Sequence, residues 1–363
     1  MARRQQPGRI WQGKLRGMND AKRADLRAAV APFETPSLAL GLYQIATSIG
    51  LYLATLALMY WSLHLSYLLT LLLAIPATAL EVRMFIIQHD CGHGSFFANK
   101  RANDILGTLC GVLTLAPYAH WRRQHAQHHA SWNNLDRRDT GVDIYSACLT
   151  VEEYRGLSPW QRFLYRLPRH PLVAQVAIPP LIFLVLYRVP FDTPKDWTGE
   201  RRSVWGTNLA ILALWGVLAY FFGITGVLMV QLPIVIISTI VGVWLFSVQH
   251  LYEGALWSRR EDWSYADAAL KGSSYLVLPA ALHWMTGNIG FHHIHHLSVR
   301  VPNYRLAACH RSSTLLQPET PLSLGRAFMT GGLGLWDEAQ NKLVRFRDAV
   351  RITPHIKMNN ETT

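Results

Sequence analysis

Two long stretches of the chain lack charged side chains, and each is long enough for two helices that cross a membrane. The first runs from Leu38 to Leu80 and the second from Ser203 to Tyr252, both without Asp, Glu, Lys or Arg. A helix needs about 20 apolar residues to cross roughly 30 Å of hydrocarbon. Each stretch therefore predicts a hairpin of two transmembrane helices.

Polar or flexible residues mark where each hairpin would turn. In the first stretch the interruption is Ser62-Leu63-His64, which places one span at Leu38 to Trp61 and the next from about Leu65. In the second stretch, the segment Phe222 to Gly226 contains two glycines, which favour a turn.

Two shorter apolar stretches, Ile105 to Ala119 and Pro171 to Val189, do not fit a simple span. The first is shorter than the ~17 residues a span requires, and the second contains several prolines and Arg188. We expect interfacial or re-entrant helices at both. The pattern predicts an all-α membrane protein with four transmembrane helices in two hairpins plus interfacial helices. The alternative, buried helices of a soluble protein, is disfavoured by the length of the uncharged runs.

Charge sets the expected orientation. The chain has 35 Lys and Arg against 23 Asp and Glu, a net charge of +12, yet the two predicted turns contain no Lys or Arg. Because Lys and Arg are retained on the cytoplasmic side, we expect both termini in the cytoplasm. The predicted organisation is a basic N-terminal segment (1–37), a membrane domain (38–310) and a cytosolic C-terminal tail (311–363). The basic residues are spread over the connections rather than forming one stripe, so nucleic acid is not an expected partner.

Histidines concentrate in three groups just beyond the hairpins. The groups are HDCGH (His89 to His93), HAQHH (His125 to His129) and HHIHH (His292 to His296), out of 16 histidines in the chain. The second and third groups each contain the pattern H-x-x-H-H. Helical positions i, i+3 and i+4 share one face, so each of these patterns offers up to three nitrogens to one small volume. Two such patterns arise by chance in about one chain in a thousand of this composition. The candidate ligands are His89, His93, His125, His128, His129, His292, His295 and His296.

His250 is a ninth candidate, because it closes the second hairpin on the same side as His89. We expect His64, His170, His310 and His355 to be structural, since a single imidazole binds no metal tightly. His120, His283 and His293 lie near the groups but off their spacing. They could bind metal themselves, and the main alternative is that they contact the ligating histidines from outside.

Eight or nine imidazoles exceed what one ion uses and predict two ions with four or five ligands each. Imidazole alone does not identify the metal. The apolar setting suggests chemistry on a hydrocarbon, which requires a redox metal and O2, and this favours iron. The chain has no Glu-x-x-His pair of the kind found in carboxylate-bridged di-iron bundles.

Nearby polar residues have two possible roles each. Asp90, Asp136 and Asp139 are expected to hold a ligand imidazole in one tautomer or to be solvated. Asn288 could hold a metal-bound water or be a turn residue between Gly287 and Gly290.

The three histidine groups, with GNIGFHHIHHLSVRVPNY (Gly287 to Tyr304) and QHLYEG (Gln249 to Gly254), resemble the membrane fatty acid desaturase family, in its acyl-lipid, omega-6 or delta-12-like branch. This resemblance implies a four-helix membrane domain with a cytosolic cap that carries the histidine boxes. It also implies a di-iron centre and O2-dependent insertion of a cis double bond into a lipid-linked acyl chain. Electrons would come from a separate carrier such as ferredoxin, and the location would be the bacterial inner membrane.

Two other functions remain open at this point. A related di-iron hydroxylase or ketolase acting on an alkane or carotenoid would use the same ligands. A metal or haem transporter would place histidines inside the spans, which here are almost free of them. Double-bond position, acyl chain length, the electron donor and the oligomeric state are left open by the sequence.

Overall fold

The computed structural model describes residues 20–138, 147–318 and 320–349, and this part of the chain is mostly helical. Its helices are α1 (Asp20–Val30), α2 (Leu38–Ser62), α3 (Tyr67–His93), α4 (Lys100–Leu113), α5 (Tyr118–Ser131), α6 (Val151–Gly156), α7 (Pro159–Arg166), α8 (Ile178–Leu184), α9 (Thr198–His250), α10 (Tyr265–Gly272), α11 (Ala280–Met285), α12 (His292–Leu297), α13 (Asn303–Ser312), α14 (Leu324–Phe328) and α15 (Phe346–Ala349). The strands are β1 (Leu149–Thr150), β2 (Leu276–Val277), β3 (Leu322–Ser323), β4 (Leu333–Asp337) and β5 (Lys342–Arg345).

The first uncharged stretch forms two apolar helices, α2 and α3, that pack against each other. The Ser62 and Thr70 hydroxyls are 2.7 Å apart beside the connection, and Arg83 Nε donates to Ser48 Oγ at 2.9 Å further along both helices. Helix α2 starts after Ser37, whose side chain accepts a hydrogen bond from the backbone of Leu40, and this satisfies one free N–H of the first turn.

The second uncharged stretch lies within α9, which is interrupted at one residue. Gly223 has φ 71° and ψ 156°, and helical backbone continues on both sides of it. This combination of angles is essentially restricted to glycine. The predicted turn at Phe222 to Gly226 is thus a break at a single glycine, because only Gly223 departs from helical backbone angles.

Within the described residues, three helices are long and apolar enough to cross a membrane: α2, α3 and α9. A fourth is counted if Pro159–Arg169 and Val173–Arg188, which are bent by 48°, form one broken span. These helices are typical of a membrane protein.

The two stretches that we expect to be interfacial differ in form. Most of Ile105 to Ala119 lies in α4, whose 14 residues are too few to cross hydrocarbon. The second stretch contains a π-helical turn at Val173–Ala177, then α8, then a 3-10 turn at Leu186–Arg188. Prolines cannot donate to the helical ladder, and this irregular backbone is their expected result.

The expectation of an all-α protein is incomplete, because the structure also contains short strands. Strand β4 pairs in parallel with β1 and antiparallel with β5, and β2 pairs in parallel with β3. The described part of the predicted C-terminal tail is folded, with Trp336 buried beside Leu135 and Trp257. Hydropathy did not reveal these strands because they have only two to five residues each.

A buried core holds the histidine-bearing segments in place. Trp132, directly after α5, packs with Tyr265 of α10 and with Ile294 and Leu297 of α12. Trp132 Nε1 also donates to the backbone oxygen of Ala268 at 3.2 Å. This core fixes the end of α5 relative to α12.

Candidate metal centre

The nine predicted histidines meet at the ends of four helices. They come from the C-terminal turns of α3 and α9, from α5, and from the short helix α12. All are buried except His93, which is half-buried. The structure divides them into two groups.

The first cluster contains five of them, and their candidate ligand atoms all lie within 4.8 Å of one another: His89, His93, His125, His129 and His295. His129 Nε2 is 3.0 Å from His125 Nε2 and 3.1 Å from His295 Nε2. Three segments of the chain that are distant in sequence contribute to this cluster.

The second cluster contains the other four. The candidate ligand atoms of His128, His250 and His296 lie within 4.8 Å of one another. His292 joins them, because its Nε2 is 3.1 Å from His250 Nε2 and 2.9 Å from His296 Nε2. His250 Nε2 is also 3.1 Å from His128 Nε2.

Helical spacing explains how one motif serves both clusters. In α5 the i, i+4 pair His125 and His129 enters the first cluster, while His128 enters the second. In α12 the i, i+4 pair His292 and His296 enters the second, while His295 enters the first. Each H-x-x-H-H therefore spans both clusters, which brings the two together.

The nitrogen spacing fits bound metal ions. Two nitrogen ligands at right angles on an ion with bonds of about 2.1 Å lie about 3.0 Å apart. The Nε2–Nε2 distances within the clusters are 2.9 to 3.1 Å. His89 Nε2 is buried and has no hydrogen-bond partner, as expected of a lone pair that faces an ion. The clusters could thus hold metal.

The imidazoles are held in the form that binds metal. Burial, together with the proximity of the other imidazoles, lowers the pKa values well below the ordinary value for His125, His129, His292, His295 and His296. A metal-binding histidine must be neutral. These rings are therefore neutral at physiological pH.

Asp90 contacts a candidate ligand, as the sequence suggests. Its Oδ1 is 3.0 Å from His89 Nδ1, which leaves Nε2 of the same ring to face the first cluster. Asp136 instead pairs with Arg259 at 3.0 Å and accepts from the Arg260 backbone at 2.7 Å. Asp139 lies outside the described residues.

His120, His283 and His293 lie outside both clusters. His120 Nδ1 is 3.0 Å from Thr193 Oγ1, and His293 Nε2 is 2.9 Å from the backbone oxygen of Leu316. The ring of His283 stacks on the ring of Phe291.

Of the histidines expected to be structural, His64 and His170 are exposed, and His310 contacts His293. His355 lies outside the described residues. Asn288 has φ 59° and donates to the Asn303 backbone oxygen at 3.2 Å, which favours its interpretation as a turn residue.

Two contacts were not anticipated. Trp121 stacks on His125 with ring centroids 4.6 Å apart, and the i, i+4 spacing of the two residues could have indicated it. Asn303 donates twice to Asp90. These two residues are separated by 213 positions, so no local pattern could have joined them.

Comparison with known proteins shows the family to which the chain belongs. A sequence profile described as "Fatty acid desaturase" matches residues 62–323. The chain is 43% identical over 326 residues to a fatty acid desaturase of Bacillus subtilis, covering 90% of this chain and 91% of that protein.

More distant relatives have more specific names. An sn-1 acyl-lipid omega-3 desaturase (ferredoxin) of Synechocystis sp. is 27% identical, covering 61% of each protein. A chloroplastic omega-6 fatty acid desaturase of Spinacia oleracea is 28% identical, covering 73% of this chain and 59% of that protein. The chain belongs to the fatty acid desaturase family, whose members are oxidoreductases.

Proposed function

We propose that this protein is an O2-dependent acyl-lipid desaturase that inserts a cis double bond at a di-iron centre held by the nine histidines. The observation that carries the proposal is the division of these histidines into clusters of five and four nitrogen donors with metal-compatible spacing. The balanced reaction converts two adjacent methylenes, O2, two electrons and two protons into an alkene and two waters.

Iron is the metal whose chemistry matches the family. His89, His93, His125, His129 and His295 would hold one ion, and His128, His250, His292 and His296 the other. The two ions would supply O2 activation and the oxidising power to remove hydrogen from an unactivated methylene. The surrounding residues orient the ligands: Asp90 holds His89, and Trp121 limits rotation of His125 by stacking on its ring.

Four spans in two hairpins are supported by the contacts at both ends of α9. Ser203 and His250 are 47 residues apart, which a continuous helix would spread over about 70 Å. Yet Ser203 Oγ accepts from Ala119 N at 3.1 Å, and His250 contacts His128, nine residues further along α5. Nine residues of helix span about 14 Å, so folding back at Gly223 accounts for both contacts.

The orientation follows from this topology. Both predicted turns would lie on the side opposite the histidines, and these turns lack Lys and Arg. We therefore place the clusters and both termini on the cytoplasmic side of a bacterial inner membrane, with the shorter apolar helices at its interface.

An acyl lipid is the substrate favoured by the location of the clusters. The candidate ligands His89 and His250 lie at the ends of the apolar helices α3 and α9, where an acyl chain in the bilayer could reach the metal ions. Relatives named as an sn-1 acyl-lipid omega-3 desaturase and an sn-1 oleoyl-lipid 12-desaturase, both of Synechocystis sp., support the same substrate class.

A separate, acidic electron carrier of the ferredoxin type would supply the two electrons. One relative is named as ferredoxin-dependent. The net charge of +12 favours association with an acidic protein.

The test is expression of the full chain in a host with known lipids, followed by mass spectrometry of the acyl chains. The proposal predicts new cis alkenes that require O2. Hydroxylated or ketonic products would instead indicate the related hydroxylase or ketolase. No product in lipids, despite bound iron, would contradict the proposed substrate class.

A further inference from the structure

Asn303 connects two parts of the candidate site: the end of α3 and the segment that follows α12. It is fully buried at the first position of α13, six residues after α12 ends at Leu297. All of its polar groups take part in hydrogen bonds to segments that are distant in sequence. This concentration of contacts distinguishes it from an ordinary capping residue.

Two of these hydrogen bonds hold the Asp90 carboxylate. Asn303 N and Nδ2 donate to Asp90 Oδ2 at 2.6 and 2.8 Å. The backbone N–H is one that the first turn of a helix leaves without an internal partner, and the positive end of α13 also favours a negative group there. The carboxylate is thus fixed from outside its own helix.

This external support is needed for the contact between Asp90 and His89. Adjacent residues on a helix do not ordinarily face each other, yet Asp90 Oδ1 lies 3.0 Å from His89 Nδ1. Because Asn303 occupies Oδ2, it leaves Oδ1 for the imidazole. Holding Nδ1 in this way directs Nε2 of His89 toward the first cluster.

The orientation of the Asn303 amide is fixed in turn. A carboxylate only accepts hydrogen bonds, so the NH2 group of Asn303 must face Asp90 and its oxygen must face the other way. There, Gln44 Nε2 donates to Asn303 Oδ1 at 2.7 Å. Asn288 Nδ2 donates to the Asn303 backbone oxygen at 3.2 Å. Helix α2, helix α3 and the turn before α12 therefore meet at this one residue.

We propose that Asn303 is a positioning residue for the first metal site: through Asp90 it sets the His89 ring, and it aligns the end of α3 with the segment that follows α12. This inference rests on the proposed function, because it requires that His89 binds an ion. Residues that contact metal ligands from outside typically change metal affinity by about 10- to 100-fold when replaced.

The experiment measures Co²⁺ binding to the full-length, detergent-purified apoprotein by absorption titration. Wild type is expected to bind two Co²⁺ ions. Asn303→Ala is expected to weaken one of the two sites about 10-fold and to change the absorption of that site only, while the other site keeps its affinity. Loss confined to one ion distinguishes positioning from general loosening, which would weaken both.

The matched control is Asn103→Ala. Asn103 is equally buried and also makes two hydrogen bonds, to the backbone N and O of Phe97, but it contacts neither Asp90 nor a histidine. It is expected to bind both ions as wild type does. Equal Co²⁺ affinities in the two variants would overturn the role of Asn303 while leaving the proposed function intact.

If Asn303→Ala does not fold, Gln44→Ala provides the second variant, since it removes the hydrogen bond to Asn303 Oδ1 and leaves the Asn303 amide held by Asp90 alone. The expected result is a smaller weakening of the same site, and unchanged binding would overturn the inference. A wild-type protein that binds no Co²⁺ would contradict both the inference and the di-metal site.

Discussion

Separate replacement of His296 and His293 by alanine tests the assignment within a single motif. Both residues lie in HHIHH and both are fully buried, so the two substitutions remove the same imidazole from similar surroundings. They differ in what the ring contacts. His296 Nε2 is 2.9 Å from His292 Nε2 in the second cluster, whereas His293 Nε2 is 2.9 Å from the backbone oxygen of Leu316.

The expected magnitudes follow from these contacts. His293→Ala removes a buried hydrogen bond and is expected to lower the free energy of unfolding by about 1–3 kcal/mol, with both metal ions retained. His296→Ala reduces the second cluster from four nitrogen donors to three. Since replacement of a residue that only contacts a ligand lowers affinity about 10- to 100-fold, loss of the ligand itself is expected to exceed about 100-fold.

The assay is iron per chain by mass spectrometry after dialysis against a chelator, together with desaturation of host lipids. We expect His293→Ala to retain two irons per chain and to desaturate host lipids as wild type does. His296→Ala is expected to retain about one iron per chain and to form little desaturated product. The assignment is refuted if His293→Ala loses as much iron as His296→Ala, or if His296→Ala keeps both.

Three further predictions concern the stability of the fold. Burial alone would raise the pKa of Glu153, but hydrogen bonds from Arg138 and from a backbone N–H outweigh burial and lower the pKa from 4.5 to about 2. The ionised Glu153 therefore stabilises the folded protein fully above about pH 5, and this stabilisation is lost as the pH falls toward 2; Glu153→Gln should flatten the fall in Tm across this range. In Gly107→Ala, the new Cβ would lie 2.3 Å from the Tyr118 ring. The free energy of unfolding, measured by chemical denaturation, is therefore expected to fall by about 1–3 kcal/mol, and an unchanged value would show that the ring moves freely. Gly223→Ala places a side chain at φ 71° with open space around it, so backbone strain alone should lower stability by about 1–3 kcal/mol, and unchanged Tm would contradict that strain.

The parts of the fold that the sequence predicts best are those set by long, uniform patterns. The apolar helices α2 and α3 match the first uncharged stretch closely, because absence of charge over 40 residues permits few other structures. The sequence also predicts a break near Gly223, although as a longer turn than the single residue at which α9 is interrupted. The short strands are not evident in the hydropathy pattern, since each has only two to five residues, and the pairings of β1 with β4 and of β2 with β3 join segments far apart in sequence.

The candidate site follows the same division. The spacing within the three histidine groups predicts eight of the nine histidines that lie together, and position at the end of the second hairpin predicts His250, but neither predicts their sorting into two clusters. Sorting depends on how α5 and α12 face each other, which hydropathy and spacing do not specify. His293 lies in the same motif but off the H-x-x-H-H spacing, which set it apart from the candidate ligands; its contact with the backbone oxygen of Leu316 depends on packing and could not be predicted.

Anomalous diffraction at the iron absorption edge, from crystals of iron-loaded protein, tests the two-ion centre most directly. Two peaks are predicted, one among the five imidazoles of the first cluster and one among His128, His250, His292 and His296. A single peak, or peaks away from these nitrogens, would contradict the account.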